Sequence, residues 1–182
     1  MERNSRDFQP RIRAINENAE AVCDFLHSRS LAAATSATAS TATNNDEAKT
    51  RSPPVIKQVF HPKFVTREHF ERCRIPGGGY GGLFSLPFTS PLASRVFFDS
   101  LSCFKGPSLG TNFTLACPYT VLAHYTELGW AGGWGVEEGL VRVSVGMEER
   151  GRVVETFRVA VERAEEAVRI VAEGEGGEVL KN

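Results

Sequence analysis

Nowhere in this 182-residue sequence is there a run of about eighteen apolar residues, the least that would carry a helix across a bilayer. The longest stretch free of Asp, Glu, Lys and Arg, residues 106–126, is rich instead in Gly, Pro, Ser, Thr and Asn. Neither sign of charge is in surplus: 21 Lys and Arg stand against 22 Asp and Glu. That balance removes the electrostatic reason to bind nucleic acid or an anionic membrane, and no basic block with interleaved aromatics restores it. Cys23, Cys73, Cys103 and Cys117 form neither a C-x-x-C pair nor a Cys/His cluster at zinc spacing, so no metal is expected and the thiols are read as reduced. The opening MERNSRDFQPR lacks the apolar core of a secretory signal, and a cytoplasmic protein is the expectation. An H-E-x-x-H pair and a Walker loop are both missing, and His61 and His69 have no partner at useful spacing. His124, set among Leu and Tyr, reads as a packed or partly exposed histidine rather than a base.

What is present is helical and extended patterning in alternation. Phe8, Ile12, Ile15, Ala19, Val22 and Leu26 recur at steps of four and three, one apolar face of a helix over about 7–28. Pro10 fits only its first turn. Residues 31–54, dominated by Ala, Thr and Ser, bury too little to offset their ordering entropy and read as a disordered insertion. VIKQVFHP (55–62) reads as a short strand stopped by Pro62. Ser90 and Pro91 form an N-cap and first helical position for a helix over about 91–104. Residues 106–116 read as a short extended piece plus loop, 119–130 as a helix, and A-G-G-W-G as a turn. L-V-R-V-S-V-G (140–146) is the clearest strand, and Val154, Phe157, Val161, Ala164, Val168 and Val171 mark a last amphipathic helix before a frayed tail, 173–182. The whole is an α/β chain, with helices laid on one face of a small sheet.

Gly77, Gly79 and Gly82 satisfy G-x-G-x-x-G, a spacing that cradles phosphate when it follows a strand and opens a helix. Here they lead into L-F-S-L-P-F (83–88), which alternates like a strand and carries Pro87. The context therefore argues against phosphate and for a close backbone approach to another surface.

One residue in the 140–146 strand stands out. Val141, Val143 and Val145 share one face; Arg142 lies on the other between small residues. A guanidinium fork suits a carboxylate or phosphate, but an internal ion pair or a solvent-facing arginine fits the spacing equally. Ser108, in P-S-L-G-T-N, either helps to meet an anion or simply holds a turn.

Together, SRDFQPRIRAINENAEAVCDFL (5–26), GGYGGLFSLPF (78–88), KGPSLGTNFTLACPYTVLAHYTELGW (105–130) and GVEEGLVRVSVGMEE (135–149) resemble the C-terminal part of the Cys/Met-metabolism enzymes that depend on pyridoxal phosphate. The likeness is greatest to the fungal cystathionine γ-synthases and covers nearly the whole chain. It implies the small C-terminal domain of a fold-type I enzyme: a connector helix (1–30), then a short, mostly antiparallel sheet covered by helices (55–172), with the large cofactor domain absent. It implies a tetramer acting on small amino-acid substrates: cysteine replaces the γ-acyl group of an O-acylated homoserine, in transsulfuration toward methionine. A related lyase or sulfhydrylase remains a variant of the same resemblance, and a non-catalytic module docking on an intact relative is a third possibility. By resemblance, Arg142 holds the substrate α-carboxylate and Ser108 lines the same pocket. Pro107 stands before S-L-G where many relatives carry Glu, and Thr111, Asn112 and Phe113 follow it, departures that fall where thiol and leaving-group selectivity would be set. The Schiff-base lysine of the family has no counterpart at Lys49, Lys57, Lys63, Lys105 or Lys181. No catalytic or cofactor-binding residue is therefore expected in this chain, and the chain alone is expected to be inactive.

Overall fold

The computed structural model describes residues 2–38 and 53–178. In chain order the helices and strands are α1 (Glu2–Ser5), α2 (Phe8–Ser28), α3 (Leu31–Thr38), α4 (Arg67–Glu71), β1 (Leu83–Leu86), α5 (Pro91–Ser100), β2 (Phe104–Lys105), β3 (Leu115–Pro118), α6 (Tyr119–His124), α7 (Leu128–Gly133), β4 (Val141–Ser144) and α8 (Arg150–Glu178). The four strands form one sheet in the order β1-β4-β3-β2, antiparallel except for the short β2–β3 pair.

Register assigns each face of the sheet. Phe84 and Ala116 flank Val143, and Leu86 pairs Val141, so these five residues point one way and are all buried. Onto them pack Ala93, Phe97 and Leu101 of the α5 region, Phe157, Ala160, Val161 and Ala164 of α8, and Ala19, Val22, Cys23 and Leu26 of α2, one continuous core. Phe157 sits at its centre, with ring centroids 5.9 Å from Phe84 and 6.3 Å from Phe97. Helix starts follow local chemistry. The Ser90 hydroxyl accepts from the Ala93 amide at 3.1 Å, with Pro91 in the first turn. The Glu149 carboxylate takes the amides of Gly151 and Arg152 at the head of α8, at 2.9 and 2.8 Å.

Several expected boundaries move. Residues 31–38 of the expected insertion are helical: alanine favours a helix, and the Leu31 amide bonds the Ile56 carbonyl at 2.9 Å. Residues 39–52, where most of that insertion falls, lie outside the described residues. VIKQVFHP is not a ladder strand. It touches the β1 edge through separate bridges, Phe60 with Ser85 and Ile56 with Phe88, because Pro87 between them has no N–H to continue a ladder. Helix α5 stops at Ser100 rather than 104, where Lys105 Nζ donates to the Phe98 and Leu101 carbonyls; Phe104 leaves for the sheet and is exposed. Segment 119–130 breaks into α6, a 3-10 turn (Tyr125–Glu127) and α7, since only Thr120 and Ala131 hold it to the body as buried residues. Helix α8 continues through Glu178, past the expected start of the tail at 173.

The glycine run is used for contact. A Cβ on Gly79 would lie 2.4 Å from Asn16 and one on Gly82 2.3 Å from Ile15, so α2 rests directly on this backbone. Asn16 Oδ1 accepts the Gly81 amide at 3.0 Å, and Gly81 itself has a left-handed φ of 89°. Beneath it His61 is fully buried, its Nε2 3.2 Å from the Gly81 carbonyl and its Nδ1 without a partner among the described residues.

Two outcomes are expected. Phe157→Ala should cost about 3–5 kcal/mol, read as a large fall in the urea midpoint. Burial holds the His61 imidazole below its ordinary pKa of 6.5. The unfolded chain therefore binds the extra proton first, so this contribution to stability is full above about pH 6.5 and is lost as pH falls through the folded value. Denaturation midpoints followed from pH 7.5 to 5 should drop, and His61→Gln should flatten that slope.

Candidate functional site

The face of the sheet opposite the core carries a short row, Ser85–Arg142–Cys117, set by the registers of β1 and β3 on β4. Arg142 is half-buried on this row. Its Nη2 donates to the Pro107 carbonyl at 2.5 Å, and its guanidinium lies 5.0 Å from the Tyr119 ring centroid. No carboxylate pairs with it among the described residues. Cys117, buried beside it, has its thiol pKa raised by burial, with Arg142 pulling the other way.

The S-L-G turn is seated on β4. The Gly110 amide donates to the Ser144 hydroxyl at 3.0 Å, and the Met147 amide to the Asn112 carbonyl at 2.8 Å. Thr114 bonds Glu148 through its amide and hydroxyl, and its hydroxyl also accepts the Gly146 amide at 3.0 Å. Asn18 of α2 donates to the Gly146 and Glu148 carbonyls at 3.2 and 2.7 Å, fastening the connector helix to the same corner. Gly146 is the hinge of this seat: a Cβ there would lie 2.4 Å from the backbone of Phe113.

Of the two residues singled out in the sequence, Arg142 thus meets the residue preceding Ser108. Ser108 itself is exposed and its hydroxyl takes no bond among the described residues. Sequence reasoning missed the Pro107 carbonyl, Cys117 and Tyr119. Finding them required knowing that L-A-C-P is a strand, and that tetrapeptide shows no alternation and ends in proline. Concavities of about 700 Å³ between α2 and the head of α8, and about 660 Å³ beside the glycine run, do not include Arg142. Arg142 lies on the sheet face opposite the core.

The three lysines among the described residues are all engaged. Lys57 is paired with Glu137 at 2.8 Å, Lys63 with Asp24 at 2.8 Å, and Lys105 caps α5. Lys49 and Lys181 lie outside the described residues. The glycine run, packed on α2 and leading into β1, opens no helix that could receive a phosphate.

No family model matches the chain. It is 53% identical to "Cystathionine gamma-synthase-like enzyme iboG2" of Amanita muscaria, over 92% of this chain and 26% of that protein. To the cystathionine gamma-synthase of Neurospora crassa it is 40% identical, over 91% of this chain and 23% of that one. Its homologues are cystathionine γ-synthase-like enzymes. The chain spans about a quarter of the length of these relatives. The fold agrees: the cystathionine gamma synthase of Xanthomonas oryzae pv. oryzae, solved in complex with cystathionine, superposes with a TM-score of 0.66 over 91% of this chain and 37% of its own, at 24% identity.

Gly146→Ala should cost about 1–3 kcal/mol by pushing the Asn112–Phe113 backbone off β4. Gly106→Ala, whose Cβ would meet nothing nearer than 3.7 Å, should leave stability nearly unchanged. Thermal denaturation of both variants checks the pair.

Proposed function

We propose that this chain is the C-terminal, substrate-binding part of a cystathionine γ-synthase-like enzyme and that Arg142 is its anchor for the α-carboxylate of an amino acid. The observation that carries the reading is a half-buried guanidinium with no acidic partner among the described residues, tied to the turn that holds Ser108. One carbonyl, one thiol and one aromatic face leave in-plane N–H donors for a ligand, and a planar fork matches a carboxylate with two parallel bonds. A sheet-borne anchor fixes its ligand more narrowly than a loop, which is what alignment of a reacting bond requires.

In the complete protein the reaction is the γ-replacement in which cysteine's sulfur displaces the acyl group of an O-acylated homoserine. Ser108, on the exposed turn, faces the same ligand. Pyridoxal phosphate and its lysine belong to the remaining three quarters of the protein, as do the subunit contacts of a tetramer. The 182-residue chain alone is then inactive. The related lyase and sulfhydrylase reactions need the same anchor. The missing lysine also favours a second reading, a non-catalytic module that docks on an intact relative.

The test is binding. L-2-aminobutyrate should shift the side-chain Nε–Hε resonance of Arg142 in the isotope-labelled chain, whereas 1-aminopropane, which lacks only the carboxylate, should not. Arg142→Lys should weaken the response about ten-fold by losing the fork. Pyridoxal phosphate added to the chain should give no visible absorbance beyond that of the free cofactor. A carboxylate-independent response overturns the anchor, and a new visible band overturns the placement of the cofactor site.

A further inference from the structure

Tyr119 stands where β3 turns into α6, and its stem is fixed by the strand that carries the arginine. Cys117 is opposite Arg142, Pro118 is opposite Val141, and the Tyr119 amide continues this pairing by donating to the Leu140 carbonyl at 2.9 Å. The half-buried ring therefore moves with β4. Its position under the guanidinium, 5.0 Å from centroid to Cζ, is a consequence of register rather than of a loop. The ring also meets His124 edge-on at 5.8 Å, and His124 Nδ1 is held by Glu127 at 2.7 Å.

Resting on the foregoing assignment of Arg142, we propose that Tyr119 is the positioning residue of that anchor. A long arginine side chain on a sheet face has several rotamers, and something must select one. An acid would select one and in doing so take two N–H donors and cancel the charge. A ring face attracts the cation through its quadrupole while leaving every in-plane N–H free. The Pro107 carbonyl fixes rotation within the plane; the ring fixes the plane itself. Tyr119 touches neither reacting atoms nor ligand in this role.

The experiment uses the full 182-residue chain, isotope-labelled on arginine, as wild type, Tyr119→Phe and Tyr119→Ala, each checked for an unchanged thermal transition. Without ligand, the Arg142 Nε–Hε resonance should move in Tyr119→Ala, through loss of the ring current, and stay close to wild type in Tyr119→Phe. With L-2-aminobutyrate, Tyr119→Ala should bind about ten-fold more weakly and Tyr119→Phe within two-fold of wild type, because a phenyl face keeps the attraction. An unmoved resonance in Tyr119→Ala overturns the proposal whatever the ligand does. A moved resonance with wild-type affinity shows a neighbour that positions nothing, and also overturns it. If the Tyr119→Ala resonance moves but the wild-type chain ignores L-2-aminobutyrate, the anchor is overturned, and this role for Tyr119 with it.

Discussion

Strand β4 is bonded on both edges, and that double pairing is the constraint from which the rest follows. With β1 on one side and β3 on the other, it can neither slip nor rotate, because a one-residue shift would exchange Val141 and Val143 for Arg142 and Ser144 in the core. The cost of placing a guanidinium among Phe84, Phe157 and Val161 makes this register far more favourable than its neighbours. Burial of the valines thus holds Arg142 on the opposite face, so a packing preference determines where a charged group stands. Two residues past the end of this strand lies Gly146, whose missing Cβ lets the 112–113 backbone lie against it. Core, arginine and turn are consequences of seven residues.

The glycine run shows the same economy at the other edge of the sheet. Glycines allow phosphate to approach a backbone, and they equally allow a helix to do so. Helix α2 presses Ile15 and Asn16 into the space that side chains at 79 and 82 would fill. This explains why α2 divides lengthwise. From Ile15 onward its stripe is buried against the sheet and α8, whereas Phe8 and Ile12, ahead of the glycine contact, are 54% and 37% exposed. Exposed large apolar side chains on this helix are confined to its first turns.

Legibility tracked how far a residue's environment is set by its neighbours in sequence. The helix over 7–28, the Ser90–Pro91 start and the central strand were readable because periodicity and caps act within a few residues. Arg142 was readable as a candidate for the same reason: alternation alone separates it from the valines. L-A-C-P was not, since its strand character comes from pairing with β4, across two dozen residues. The long helix expected over 119–130 failed for the converse reason, local propensity without a core to hold it. Alanine in 31–38 is too small to bury much surface, yet its helix propensity and a bond from the Leu31 amide to Ile56 decide the matter. Tyr119 was invisible, because an aromatic after a proline says nothing of the strand beside it.

Arg29 shows how an arginine that holds the fold together is placed, and Arg142 is placed differently. Its guanidinium reaches across from the end of α2 to Glu165 of α8, a carboxylate buried in the helix interface. A buried acid requires a partner of opposite charge, and removing either member leaves the other stranded at a cost of several kcal/mol. The pair is closed and joins two elements. Arg142 joins a strand to a turn through a neutral carbonyl, beside a thiol and over a ring, and no carboxylate among the described residues cancels its positive charge. An exposed arginine would need none of these neighbours, because water would solvate it. A half-buried one without an acid among the described residues can rest on a carbonyl and a ring only where desolvation is partial and water still reaches its remaining donors. The sheet supplies that balance on the face its core does not use.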